Sequence, residues 1–372
     1  MYKRRMIILL TYIFFLNGAL YYFFPSQHYL MGGVGGWIQY IKYLVFIPII
    51  LISCASLPNL KKYLSWYLVL FMFLIVTNLI GMVWVSEQNL LLFQLFFPFL
   101  TFIVAGGENN FKITLKDFCF FYWVLILSTL LFSFFEVYYN TFGDIYSRSG
   151  FRATGPFMNP NNTGLVASLL SIIFYIIEPK KTHRIVSLLL CIFVILLSGS
   201  KTALLVYIIG LFFSVSAIHR VAIFITCAIL GMAFVFYQQV ISLNTSIREF
   251  TLESAYIRYQ TITDLFTTYG QDLKGILFGV YNTSLVDNAY LDILLFSGIL
   301  MLVFFIFVQF IAVVKCIKAK NKVLLICHLM LFLMMLTTNI PRLWPLGYIY
   351  WLVVGLSFLL KTSPRKSNLI FS

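Results

Sequence analysis

Long apolar runs alternate with short polar connections along almost the whole chain. The first run is Met6 to Phe24, and others fall at about 37–57, 63–85, 90–105, 118–140, 163–177, 185–197, 202–217, 221–238, 287–314, 323–340 and 346–360. A membrane-crossing helix needs about 20 apolar residues, so the pattern predicts about twelve spans joined by short loops. The start, Met1-Tyr-Lys-Arg-Arg, is basic and leads directly into an apolar stretch. That stretch is too long for a signal peptide and no small-x-small cleavage site follows it, which predicts an uncleaved first helix with a cytoplasmic N-terminus. The stretch 185–217 is the least regular, because Ser198-Gly-Ser-Lys201 interrupts it. Two helices are expected there, with the interruption at the outer interface.

Charge supports that topology. With a cytoplasmic start the inner segments hold Lys3, Arg4, Arg5, Lys61, Lys62, Lys112, Lys116, Lys180, Lys181, Arg184, Arg220, Lys315, Lys318, Lys320, Lys322, Lys361, Arg365 and Lys366. The outer segments hold Arg148, Arg152, Lys201, Arg248, Arg258, Lys274 and Arg342, a bias of 18 to seven. Cytoplasmic loops carry the excess of Lys and Arg. Reading 185–217 as one helix would turn the lysines of 315–322 outward, against that rule. Both termini are expected on the cytoplasmic side.

Composition narrows the class. Of 372 residues 61% are hydrophobic and 10% charged, and the mean hydropathy is +0.95. Soluble domains carry about 25% charged residues and disordered chains have low hydrophobicity, so both are excluded. A net charge of +14 would suggest nucleic acid in a soluble protein; here it reads as loop cations that set orientation. The expectation is a single all-α polytopic membrane domain over 1–372, with outer loops at 141–162 and 239–286.

Ionisable groups inside membrane helices are costly and mark function by default. Lys42, Glu136, Asp287 and Asp292 all fall in the outer third of their helices, whereas His328 lies near the inner side. Together they suggest a hydrophilic cavity open to the outer face. The loop 239–286 is the longest non-spanning stretch, and long loops are uncommon unless functional. Outer arginines run against the orientation rule, so topology does not explain them. Arginine grips phosphate through a planar, permanently charged fork, and two or three of them converging on a diphosphate neutralise it without a metal. Arg152 and Arg258 are the candidates, whereas Arg248 reads as a solvated charge beside Glu249.

Several patterns carry less than they promise. Gly199-Ser-Lys-Thr202 lacks the spacing of a phosphate-binding loop. Gly32-Gly-Val-Gly-Gly36 reads as a flexible turn. The sequons at Asn161, Asn244 and Asn282 have no meaning in the bacterial protein expected here. Cys54, Cys119, Cys191, Cys227, Cys316 and Cys327 show neither metal spacing nor a disulfide framework.

Three stretches carry a resemblance. Arg152-Ala-Thr-Gly-Pro-Phe-Met-Asn159-Pro-Asn161 resembles the outer-loop motif of the O-antigen polymerase and O-antigen ligase superfamily. Leu196-Leu-Ser-Gly-Ser-Lys-Thr-Ala-Leu204 is similar to its next motif, which more often has Arg at the place of Lys201. Asp287-Asn-Ala-Tyr-Leu291 with Phe296-Ser-Gly-Ile-Leu300 resembles the third. The resemblance implies a GT-C-like fold with one large periplasmic loop, in the bacterial inner membrane. It implies a metal-independent glycosyltransferase, without cofactor, acting on an undecaprenyl-diphosphate-linked oligosaccharide. A polymerase moves the growing glycan onto a lipid-linked repeat unit, and a ligase moves it onto lipid A–core. Ligases of the family place a histidine where this chain has Asp287, which favours the polymerase. A chain-length regulator and a flippase are the partners implied.

In that scheme Arg152 and Arg258 hold the diphosphate with Lys201 and Arg342 as helpers, since fixed cations stabilise developing negative charge. Asp287 is the first candidate for the catalytic carboxylate and Glu136 the second. Asn159, Asn161, Asn288 and Tyr290 order the site or contact sugar. The rival from another class is a polysaccharide flippase or transporter. Repeated halves and midplane polar sites would favour it; the chain shows no internal repeat, and its acids lie near outer helix ends.

Overall fold

Four helices start where Asn or Ser precedes an apolar run and its side chain caps the first turn, at Asn159, Ser200, Asn288 and Asn321. The computed structural model describes residues 2–24, 37–54, 72, 98–102, 104–105, 114–139, 152–216, 220, 260, 263, 267, 273–279 and 287–360. Its helices are α1 (Tyr2–Leu16), which runs into a 3-10 turn at Asn17–Tyr22, α2 (Ile38–Cys54), α3 (Leu115–Tyr139), α4 (Pro160–Ile177), α5 (Lys181–Ser198), α6 (Lys201–Ser214), the short α7 (Leu273–Phe278), α8 (Ala289–Lys318), α9 (Lys322–Met335) and α10 (Leu346–Leu359). Among the described residues there is no strand. Five segments are long and apolar enough to cross a membrane: Arg5–Tyr22, α3, α4, α5 and the Ser297–Lys318 part of α8. Shorter apolar helices are Tyr40–Ser53, α6, α9 and α10. The expected spans at 63–85 (apart from Met72) and 221–238, and most of 90–105, lie outside the described residues.

The interrupted stretch forms two helices. Gly199 closes α5 at φ 58°, a left-handed cap that a residue with a β-carbon adopts only at a cost. Ser200 opens α6, its Oγ accepting from the Ala203 N–H at 3.3 Å. The stretch expected as one helix at 287–314 differs. Asn288 caps its start, but the backbone breaks at Gly298, with φ 77° and ψ 175°, a conformation open essentially to glycine alone. The half-helix Ala289–Ser297 folds back on the longer part, so the Tyr290 hydroxyl donates to Gln309 Oε1 at 3.1 Å. In an unbroken helix those residues would stand about 28 Å apart.

α4 occupies the centre, packing against α3, α5, α6 and α9. Its small residues allow close approach. A β-carbon on Gly164 would lie 2.7 Å from Ala203 Cβ, and Ser168 Oγ donates to the Ala203 carbonyl at 3.1 Å. Tyr122 of α3 stacks on Phe174 at 4.2 Å and shares hydrogen bonds with Ser171 and Ser187. The outer faces of α3, α5 and α8 are apolar and uncovered, as with Leu131, Leu196 and Phe310, each more than 60% exposed. Uncovered apolar belts of this kind suit contact with lipid.

The bundle has two chemically distinct ends. At one end cations satisfy the last carbonyls of helices, where both the unpaired acceptors and the helix dipole favour positive charge. Arg184 donates to the Glu178 carbonyl after α4. Lys322 reaches the Ser214 carbonyl at 3.2 Å after α6, and Lys315 reaches Phe358 at 3.0 Å in α10. The opposite end carries the helix starts Asn159, Ser200 and Asn288, with the three sequence motifs.

Candidate functional site

The first two motifs are built into one corner. Asn159 caps α4, its Oδ1 accepting from the N–H groups of Asn161 and Asn162 at 2.9 and 3.2 Å, and Pro160 takes the first helical position, where its missing donor costs nothing. The segment before it, residues 152–154 leading into a 3-10 turn at Gly155–Phe157, lies against the end of α5, with Ala153 N donating to the Leu197 carbonyl at 2.8 Å. Arg152 is thereby set between two helices. Its Nε donates to the Ser198 carbonyl at 3.1 Å and its Nη2 to Asn161 Oδ1 at 2.8 Å. Gly199 runs directly beneath its side chain. Lys201 follows at the first turn of α6 and is exposed. The N-termini of α4 and α6 bring the partial positive charge of their dipoles to this corner.

Glu136 lies behind the loop. It is fully buried. Its Oε2 accepts from the Tyr22 hydroxyl at 2.8 Å, the Thr154 N–H at 2.8 Å, the Thr154 hydroxyl at 3.0 Å and the Gly155 N–H at 3.2 Å. One carboxylate thus ties the end of α1, the end of α3 and the Arg152 loop together. That geometry is of a group that positions a loop.

The third motif meets the first across the segment 339–345. Asn162 Nδ2 donates to the Trp344 carbonyl at 3.2 Å. Arg342 is buried against Asp292, its Nη1 lying 2.9 Å from both carboxylate oxygens. Asn288 caps α8 through bonds to the Tyr290 and Leu291 N–H groups, and its Nδ2 donates to the Leu336 carbonyl at 3.0 Å. Asp287 stands just before that cap and is exposed. Lys42 reaches the same region from α2, its Nζ 5.8 Å from the Trp344 ring centre.

The structure therefore gathers Arg152, Asn159, Asn161 and Lys201 in one corner, and connects Asp292, Arg342, Asn288 and Tyr290 through the other side of the 339–345 segment. Arg258 and almost all of the 239–286 loop lie outside the described residues. Arg342, expected as a helper for the diphosphate, instead neutralises a buried aspartate. Asn159 and Asn288, expected near sugar, have their Oδ1 atoms committed to helix caps. Sequence reasoning placed Thr154 inside the first motif without a role and left Tyr22, Asn162 and Trp344 outside the site. Their partners lie 18 to 182 residues away, and no local pattern announces such pairs.

Unsatisfied polar atoms concentrate near these contacts. Glu136 Oε1, Asn162 Oδ1, both polar side-chain atoms of Asn339 and Trp344 Nε1 are buried without a hydrogen-bond partner. Buried polar groups are normally paired, with ordered water where protein atoms do not serve. Three of these atoms are oxygen acceptors, so the positive character of the corner rests on Arg152, Lys201 and the helix N-termini. Among the described residues no three His, Cys, Asp or Glu side chains gather to share a metal ion. No protein-family model matches the chain, and no curated protein matches it significantly.

Proposed function

We propose that this protein is a membrane-embedded glycosyltransferase that polymerises a surface polysaccharide, within a twelve-span GT-C-like architecture whose Arg152 end faces the periplasm. The observation that supports the reading is Arg152 itself. Two helices fix its guanidinium among helix N-termini and beside Lys201, where a diphosphate would meet a preorganised positive field.

The donor in this proposal is a glycan joined through its anomeric carbon to undecaprenyl diphosphate. A hydroxyl of the lipid-linked repeat unit attacks that carbon. The bond from carbon to diphosphate oxygen breaks, undecaprenyl diphosphate leaves with the electron pair, and the hydroxyl proton passes to Asp287. Arg152, Arg258 and Lys201 stabilise the charge that collects on the leaving group. Asn161 orients Arg152. Glu136 and the Arg342–Asp292 pair position the loops, and Tyr290 steadies the third motif through Gln309.

The test is deletion of the protein in its host followed by electrophoresis of the surface polysaccharide, then complementation. A polymerase deletion leaves lipid A–core capped with a single repeat unit. Uncapped core with polymer retained on undecaprenol would assign a ligase instead, and uncapped core without such polymer a transporter. Arg152→Gln should give the single-repeat phenotype at normal protein level. Arg152→Lys should restore little of the ladder, because an ammonium lacks the fork that spans Ser198 and Asn161. A normal ladder from Arg152→Gln would overturn the assignment of this site.

A further inference from the structure

At the opposite end of the bundle the structure holds a second, differently built site. A groove of about 670 Å³ opens between α6, α8 and α9. Its walls are apolar, with Ile306 and Phe310 on one side and Leu329 and Phe332 on the other. It runs along α9 from Lys322 to Phe332, about 15 Å at the helical rise, which is half of a hydrocarbon core about 30 Å thick. Its depth is that of one leaflet.

The rim at the basic end is cationic. Arg220 and Lys322 both line it. Arg220 Nε donates to the Phe212 carbonyl at 3.1 Å, and Lys322 Nζ donates to the Ser214 carbonyl at 3.2 Å. These acceptors hold the two side chains at the end of α6 but leave their charge in place. No described carboxylate forms an ion pair with either. An apolar slot of one-leaflet length that ends at two such cations matches one kind of molecule, an acyl chain ending in an anionic headgroup. Basic pockets between membrane helices bind acidic lipid headgroups on this principle.

We propose that the groove holds an anionic glycerophospholipid, its phosphate between Arg220 and Lys322 and one acyl chain along α9. The lipid comes from the leaflet that the basic end faces, so it occupies the side of the molecule away from Arg152. Its chain end reaches Gln309, the residue that accepts from Tyr290. Bound lipid thus fills the space between α6, α8 and α9.

Native mass spectrometry of the delipidated full-length protein tests this, by titration with phosphatidylglycerol and with phosphatidylcholine of the same acyl chains. Phosphatidylglycerol should bind about thirty-fold more tightly, in line with the gain from two cations near an anionic headgroup. Arg220→Gln combined with Lys322→Gln should erase the difference, and Leu329→Trp should weaken both lipids by filling the slot. Equal affinity for the two lipids in the native protein, or an unchanged preference in the double variant, would overturn the proposal. So would displacement of phosphatidylglycerol by undecaprenyl phosphate at lower concentration, which would give the groove to the polyprenyl lipid. Should the variants not fold, spin-labelled lipids with the native protein in mixed phosphatidylcholine–phosphatidylglycerol vesicles decide the matter: a larger immobilised fraction for phosphatidylglycerol supports the site, and equal fractions refute it.

Discussion

Gly199 sits at φ 58° directly under Arg152, and a β-carbon there would lie 3.3 Å from Arg152 Cγ and 3.4 Å from Nε. Alanine at this position carries the left-handed strain, about 1 kcal/mol or more, and also presses on the guanidinium. Gly199→Ala should therefore shorten the polysaccharide ladder strongly while lowering the apparent melting temperature of the purified protein by only a few degrees. A full-length ladder would mean that the position of Arg152 is not critical. Arg152 was visible in the sequence because an arginine on the outer side of a membrane protein needs a reason other than topology. The part played by Glu136 was not. The Tyr22 hydroxyl that donates to its carboxylate is 114 residues away, and a lone acid near a helix end looks the same whether it touches substrate or holds a loop.

At the scale of elements, the joint between α4 and α5 is fastened by Glu178. Its carboxylate accepts from Cys119 Sγ and the Lys180 N–H and faces His183 at 3.3 Å. Burial works to raise its pKa, but these bonds and the His183 ring outweigh burial and hold it below the ordinary carboxylate value. A group with a depressed folded pKa stabilises the native state above its unfolded pKa of about 4.3 and loses that contribution as pH falls through the lower folded value. The melting temperature of the native protein should fall toward that of Glu178→Gln as the pH is lowered from about 6 to about 3; a constant gap would show that the carboxylate is not coupled to folding. Most of the described helices could be read from the apolar runs, although Asn159 and Asn288, which cap α4 and α8, read as residues near sugar. The break at Gly298 could not. The apolar run continues through it, and a glycine inside a helix costs only about 1 kcal/mol, so sequence alone does not distinguish a tolerated glycine from a hinge.

Across the whole molecule, long-range polar contacts hold the motif end together. Arg342 and Asp292 are each 3% exposed at the side chain and join the third motif to the segment before α10. Removing one member strands a buried charge, so Arg342→Leu should cost about 3–5 kcal/mol. Combining it with Asp292→Leu should recover much of that loss, measured as the apparent melting temperature of the four members of the cycle in detergent. Additive losses would show that the two side chains do not act as a pair. The order of the three motifs was readable, but not their meeting, since it rests on contacts such as Asn162 to Trp344, 182 residues apart. The central place of α4 also bears on how the protein is made. α4 carries Asn162, Thr163, Gly164, Ser168 and Ser171 on faces that its neighbours cover, so a ribosome-bound chain that ends just after it presents the bilayer with a poor substrate for partitioning. Because Arg5–Tyr22 and α3 already anchor such a chain, the readout is α4 itself: a cysteine placed in α4 of a chain otherwise free of cysteine should react faster with a water-soluble maleimide in nascent chains truncated near residue 180 than in chains that extend past residue 214, because α5 and α6 must follow before α4 has company among proteins rather than lipids.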